Sequence, residues 1–216
     1  MLILKFLGTK GYIEESNYSH KHYSSLLIKI PHYKVLFDCG ESIFLKYKPN
    51  KIFITHLHPD HSRGIENPEK YLLKKSLIIK GLKIVPFPVL HSIRCPANGF
   101  RFEYKGFKAG YFPDVLWIKD RDKALEHLDL YIGDGSTLKR DLVRKNKKTG
   151  QIFGHASMKT QLQWVKKYNI PWVIFTHFGK QPCQMGNRKL LKELKKIGGD
   201  LVKVEVAKDK EEFKIF

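Results

Sequence analysis

The 216 residues carry 40 Lys and Arg against 21 Asp and Glu, a formal charge of +19 at pH 7 with a pI near 9.7. That length suits one well-buried domain, residues 1–216, and no linker, low-complexity run or solenoid repeat divides it. No stretch approaches the roughly 20 apolar residues of a membrane span, and Cys39, Cys95 and Cys183, scattered and without a CxxC pair, argue against a disulfide framework and a thiolate zinc site, which fits a reducing cytoplasm. The basic excess is the footprint of a polyanionic partner such as RNA or DNA. The lysine-rich composition of an AT-rich genome or a heat-adapted surface would give the same balance, and the sequence leaves both open.

In chain order, MLILKF is too short for a signal peptide and reads as a first strand, residues 2–7. Strands follow at 24–30 and 33–38 around a turn at Pro31-His32, and behind Gly40 a short helix runs through Ile43 to Tyr47. Ile52 to Ile54 reads as a buried strand that breaks into THLHPDHSRG, residues 55–64, held by Pro59 and ended by Gly64. His56, His58, Asp60 and His61 crowd into that break. Imidazole is the commonest protein ligand for zinc and suits manganese or iron, and donors behind a rigid strand are preorganised, so the cluster reads as a metal site rather than a polar loop. One ion takes about three protein ligands plus water. Two ions sharing the cluster are the natural alternative to one, and they demand further ligands and a bridging carboxylate from elsewhere.

Further strands are expected at 83–87, 100–105, 107–112, 128–132 and 172–176. Ser157 caps a helix with Met158, Leu162 and Val165 on one face, and Asn187 caps another with Leu190, Leu191, Leu194 and Ile197 inward, ended by Gly198-Gly199. Strands at 201–206 and 212–216 close the chain. The order suits two sheets packed face to face with helices outside. Asp38, His91, Asp114 and His177 each end an apolar run, a recurrence that chance explains poorly.

LGTKG, LFDCG, THLHPDH, His91, Asp114 and THFGK, in that order, resemble the metallo-β-lactamase fold superfamily over nearly the whole chain. The resemblance implies an α+β fold, a four-layer αβ/βα sandwich of two mixed β-sheets flanked by helices. It also implies a dinuclear site of two divalent metal ions between the sheets, zinc first, with manganese or iron also accepted. In that pattern His56, His58 and His91 hold one ion, Asp60, His61 and His177 the other, and Asp114 bridges them. Asp38 resembles the aspartate that orients the ligands by hydrogen bonds. The chain departs from the pattern in having Pro113-Asp114 where Gly-Asp is usual. The chemistry implied is hydrolysis by a hydroxide that the two ions activate.

The same site serves many substrates, so other features must choose. GHASMKT supplies His155, similar to the histidine that ribonuclease Z and the phosphonate-pathway cyclic phosphodiesterases carry ahead of their last ligand. The resemblance implies that it contacts the phosphate or protonates the leaving oxygen, with Asp134 in YIGDGST orienting it. A helix-capping role is its bland alternative. A phosphodiester needs such an acid because its alkoxide leaves poorly, whereas a thiolate does not. LGTKG, YSSLLIKI and LFDCG also look like this branch; VLHSI lacks the PGHT of hydroxyacylglutathione hydrolases, and there is no room for a β-CASP domain. Residues 92–113 allow a hairpin but not the tRNA-clamping arm usual in ribonuclease Z. LKRDLVRKNKKTG, residues 138–150, offers Lys139, Arg140, Arg144, Lys145, Lys147 and Lys148, either as phosphate contacts at the site entrance or as a solvated loop.

The expectation is therefore a dinuclear metal-dependent hydrolase, a phosphodiesterase acting on nucleic acid or on a nucleotide-like or cyclic diester, with Asp60, His155 and Asp134 as catalytic residues. The alternatives are a thioesterase or lactonase of the same fold, a ribonuclease Z-type tRNA 3′-processing endonuclease, and a non-catalytic basic nucleic-acid-binding module. No membrane partner is expected, and a homodimer is left open because relatives often form one.

Overall fold

The central strands of the computed structural model bury both of their faces, which is why their apolar runs are nearly continuous. It describes residues 1–199 and 202–216. The strands are β1 (Ile3–Gly8), β2 (Ser25–Ile30), β3 (Tyr33–Phe37), β4 (Lys51–Phe53), β5 (Leu77–Ile79), β6 (Leu82–Leu90), β7 (Ala97–Tyr104), β8 (Phe107–Phe112), β9 (Trp117–Ile118), β10 (Leu130–Asp134), β11 (Leu142–Lys145), β12 (Ile152–His155), β13 (Trp172–Thr176), β14 (Lys203–Val206) and β15 (Glu212–Lys214). The α-helices are α1 (Pro59–Ser62), α2 (Arg121–Leu125), α3 (Met158–Lys167), α4 (Lys180–Met185) and α5 (Asn187–Gly198).

Two mixed sheets result. The first has the order β15-β1-β2-β3-β4, with only β3 and β4 parallel; the second runs β14-β13-β10-β8-β7-β6-β5, with β9 on β6 and parallel pairing among β8, β10, β13 and β14. Side-chain alternation then decides which layer each residue enters. Leu4, Phe6, Ile28, Phe37, Tyr111, Ile132 and Ile174 meet between the sheets, while Leu27 and Leu36 face out from the first sheet and Tyr131, Val173 and Phe175 face out from the second. Phe37 centres the shared core, its ring centroid 4.7 Å from that of Phe100 and 5.7 Å from that of Tyr111.

The outer layers are unequal. The second sheet is covered by α3 and α5 through Leu162, Val165, Leu190 and Leu194. Over the first sheet lie two 3-10 helices, Ser42–Tyr47 and Pro68–Tyr71, the former supplying buried Phe44. The helix expected behind Gly40 is thus the tighter 3-10 form. Ser157 caps α3 as expected, accepting from Thr160 N at 3.2 Å. Asn187 does not cap α5: Gly186 precedes the helix, and Asn187 Oδ1 is bound to the buried His20 Nε2 at 2.6 Å. Residues 138–150 are not a plain loop, because β11 and β12 form an exposed hairpin outside both sheets. Residues 92–113 enter the second sheet as β7 and β8 after a short loop and leave no arm. The strand expected at 201–206 begins at Lys203, and its first residue lies outside the described residues. No described helix is long and apolar enough to cross a membrane.

β15 returns to the first sheet beside β1, and Glu212 fastens it: Oε1 accepts from Lys5 Nζ and Lys29 Nζ, each at 2.8 Å. These two ammonium groups hold the Glu212 carboxyl down to about 2. A lowered carboxyl pKa stabilises the fold above the ordinary Glu range, near 4.5, and that contribution fades as pH falls toward 2. Glu212→Gln should therefore cost about 1 kcal/mol or less at pH 7, with the difference from wild type closing between pH 4.5 and 2, read by urea unfolding of chelated protein. A difference constant across that range would show that the ion pairs are not its source.

Candidate metal centre and cleft

Eight side chains converge where the strands of both sheets end. From the first sheet come Asp38 after β3, His56 and His58 after β4, and Asp60 and His61 on α1; from the second come His91 after β6, Asp114 after β8 and His177 after β13. Asp38 and His177 take left-handed backbone, φ 63° and 55°, as the chain turns off its strand. The glycine of LFDCG has a steric reason: a Cβ on Gly40 would fall 1.9 Å from the carbonyl oxygen of Asp60.

Three overlapping groups form, each with its donor atoms within 4.8 Å of one another. The two that gather the strand-end donors are His56, His58, His91 and Asp114, and Asp60, His61, Asp114 and His177; the third joins Asp114 and His177 to Asp134 and His155. Asp114 is common to all three. Hydrogen bonding fixes which way the rings face. His61 donates from Nδ1 to Asp38 Oδ2 at 2.9 Å, and His91 donates from Nδ1 to the Gly154 carbonyl at 3.1 Å. Their Nε2 lone pairs are thereby turned inward, where His61 Nε2 lies 3.2 Å from His177 Nε2 and His91 Nε2 lies 3.3 Å from His58 Nδ1. Buried His56 Nε2 and Asp114 Oδ1 have no hydrogen-bond partner. Lone pairs aimed at one another in a buried space call for a cation between them, and nitrogen and carboxylate donors of this kind fit divalent ions.

Asp38 is fully buried and holds both sides of the first sheet's contribution. Its Oδ1 accepts from Thr55 N at 2.7 Å and Thr55 Oγ1 at 2.9 Å, and its Oδ2 accepts from Tyr111 OH at 3.2 Å as well as from His61. Burial, then the Asp38 charge, push the Tyr111 hydroxyl well above its ordinary range, so it stays a donor. Ser92 Oγ meets His58 Nε2 at 3.1 Å and Ser136 Oγ meets His177 Nδ1 at 3.3 Å.

Beside the donors stands His155, whose Nδ1 donates to Asp134 Oδ2 at 2.8 Å and lies 3.0 Å from Asp114 Oδ1. Burial disfavours the imidazolium, but the carboxylates of Asp134 and Asp114 outweigh it and hold His155 well above the ordinary histidine range. Burial likewise raises Asp134, and His155 more than reverses it, down to about 2. Asp134 also accepts from Val115 N at 3.0 Å and Ser136 N at 2.8 Å. The carboxylate cannot turn away.

The donors floor a cleft of about 830 Å³, in the range of small-molecule sites. Its walls include Tyr12, Arg94, Leu142, Arg144, Phe153 and Lys180, and His155. Of the six basic residues expected near the entrance, Arg144 lines the cleft. Lys139 turns to Glu193 of α5 at 3.3 Å, and Arg140, Lys145, Lys147 and Lys148 are exposed elsewhere on the hairpin segment. Arg94 and Lys180 were not legible as cleft residues, since nothing in their own segments marks them. Gln161 was missed too, although a polar residue on the apolar stripe of Met158, Leu162 and Val165 was its visible signal.

No family model matches the chain. Among curated proteins, the ribonuclease Z of Methanothermobacter thermautotrophicus is 38% identical over 73 residues and that of Methanocaldococcus jannaschii 41% over 75. Each match covers 30% of this chain and spans only 23% of the relative's length. Among solved structures, YhfI of Bacillus subtilis, a metallo-β-lactamase fold protein, superposes with a TM-score of 0.71 at 16% identity, covering 98% of both chains. The short form of human tRNase Z gives 0.69 at 18% identity, covering 99% of both. With the two mixed sheets and the strand-end donor set, these similarities establish that the chain has the metallo-β-lactamase fold.

Proposed function

We propose that the chain is a metal-dependent phosphodiesterase of the ribonuclease Z-like kind, acting on a nucleic acid or a nucleotide-like diester. The observation that carries this reading is His155, tied to Asp134 at 2.8 Å on the rim of the donor cluster and open to the cleft. A thioester hydrolase needs no such acid because its thiolate leaves unaided, whereas a diester with an alkoxide leaving group does. Similarity to curated ribonuclease Z proteins supports the same choice.

In this reading His56, His58 and His91 would hold one divalent ion and Asp60, His61 and His177 a second, with Asp114 within reach of both groups. Two such ions would supply a hydroxide at neutral pH and neutralise charge growing on a phosphoryl oxygen. Asp38 keeps the His61 and Thr55 groups in orientation. Asp134 accepts the Nδ1 proton of His155, which leaves Nε2 to hold the proton delivered to the departing oxygen. Arg144 and Arg94 meet the flanking phosphates, while Lys180 at the rim is paired with Glu15.

Loaded protein should retain about two metal equivalents per chain after gel filtration, and Asp114→Ala one or none, by elemental analysis. Asp38→Asn should weaken metal affinity about 10–100-fold in chelator competition. Unchanged affinity would remove the orienting role.

Bis-p-nitrophenyl phosphate should be hydrolysed by loaded but not chelated protein. His155→Ala should lose about 10²–10⁴-fold on an oligonucleotide yet under about tenfold on bis-p-nitrophenyl phosphate, whose nitrophenolate leaves unaided. Turnover of thioesters or lactones in place of both diesters would replace the reading.

Arg144→Glu should raise KM for an oligonucleotide without altering that for the small diester, and should lower the salt slope of binding by about one. A KM raised for both would make Arg144 a contact of the reacting phosphate instead.

A further inference from the structure

We infer that Gln161, on α3, is a positioning residue that sets His155 against Asp134. The inference rests on the phosphodiesterase reading only in the consequence it assigns to that pair.

Gln161 is fully buried, and its amide is saturated. Oε1 accepts from Tyr131 OH at 3.0 Å and Asp134 N at 2.9 Å, while Nε2 donates to the Asp134 carbonyl at 2.7 Å and the Ala156 carbonyl at 2.9 Å. Two acceptor sites and two N–H groups are all that a primary amide offers, and all are used. It therefore grips both backbone groups of Asp134 and ties them to the residue that follows His155.

The grip closes a ring. Ala156 N donates to the Val115 carbonyl at 2.7 Å, and Val115 N donates to Asp134 Oδ2 at 3.0 Å. The sequence neighbours of Val115 and Ala156 are Asp114 and His155, so the ring spaces the three site residues from one another. The need is local, because β12 pairs along its length with the exposed β11 and on its other side meets the end of β6 through Gly154, whose N donates to the His91 carbonyl at 2.8 Å, while Ala156 on the far side of His155 is held by Val115 and Gln161. Residue 133 must be glycine for the ring to form: a Cβ there would fall 2.5 Å from Gln161 Oε1 and 2.4 Å from the Tyr131 ring. Neither Glu, which lacks the donors, nor Met, which lacks everything but the shape, can replace the amide.

The test compares Gln161→Met with His155→Ala and the double variant. Rates are measured on bis-p-nitrophenyl phosphate and on diphenyl phosphate, whose phenolate leaves less readily, and crystal structures of wild type and variant give the His155 Nδ1 to Asp134 separation. We expect the pair to part beyond hydrogen-bond reach. The rate ratio between the two substrates should rise at least tenfold in both single variants, with the double variant no more selective than His155→Ala. If Gln161→Met does not fold, Gln161→Glu, which keeps the acceptor and the volume, carries the same readouts. A pair still at hydrogen-bond distance overturns the inference whatever the rates. So does an equal loss on both substrates in the Gln161 variant when His155→Ala is selective, since that is a stability role alone. If His155→Ala shows no selectivity, the proton-donor role of His155 fails and the measured separation by itself decides the role of Gln161; if neither diester is turned over, the phosphodiesterase reading fails and that separation again decides.

Discussion

Buried lone pairs have to be given a cation, and the rest of this molecule is arranged around that demand. His61 and His91 spend their outward N–H groups on Asp38 and Gly154, so their inward nitrogens can only accept. Removing such groups from water without a partner costs several kcal/mol, more for the carboxylates among them. The arrangement is tolerable because a divalent ion satisfies several donors at once. Metal binding and the folding of this edge of the protein are therefore linked energetically.

The donors come from two sheets, so the distance between the sheets becomes part of the site. Phe37 lies one residue before Asp38, and Tyr111 reaches from the second sheet to the same carboxylate. The packed rings and the hydrogen bond fix one sheet relative to the other, and close packing leaves little room for sliding. Core and site share residues here, which is why the apolar strands and the polar loops cannot be understood separately.

Much of this was legible in the sequence because strand ends are places where pattern and chemistry coincide. An apolar run that stops at Asp38, His56, His91, Asp114 or His177 announces both a buried strand and a side chain held at its end. Asp134 and His155 were legible only by likeness to a family; their mutual hydrogen bond depends on tertiary packing. The hairpin of β11 and β12 was hidden because β11 is exposed throughout and β12 fully buries only Gly154, so neither carries a clear apolar alternation. Asn187 illustrates the opposite failure: a good local cap was outbid by His20, which is remote in sequence. The basic run divided for a similar reason, since which lysine or arginine reaches the cleft depends on hairpin register, with Arg144 opposite Phe153.

The left-handed backbone at Asp38 and His177 governs what substitution at these positions can reveal. An L-residue pays for φ near +60°, and asparagine pays less than most because its short amide can bond locally. A β-branched replacement at 38 would lose the carboxylate and disturb the chain's turn off β3 together, so its effect on any property would be a sum of two causes. Asparagine separates them by keeping the shape and the turn while removing the charge. At 177 no residue preserves both imidazole and freedom of φ, and a functional scan there reports backbone and ligand as one quantity.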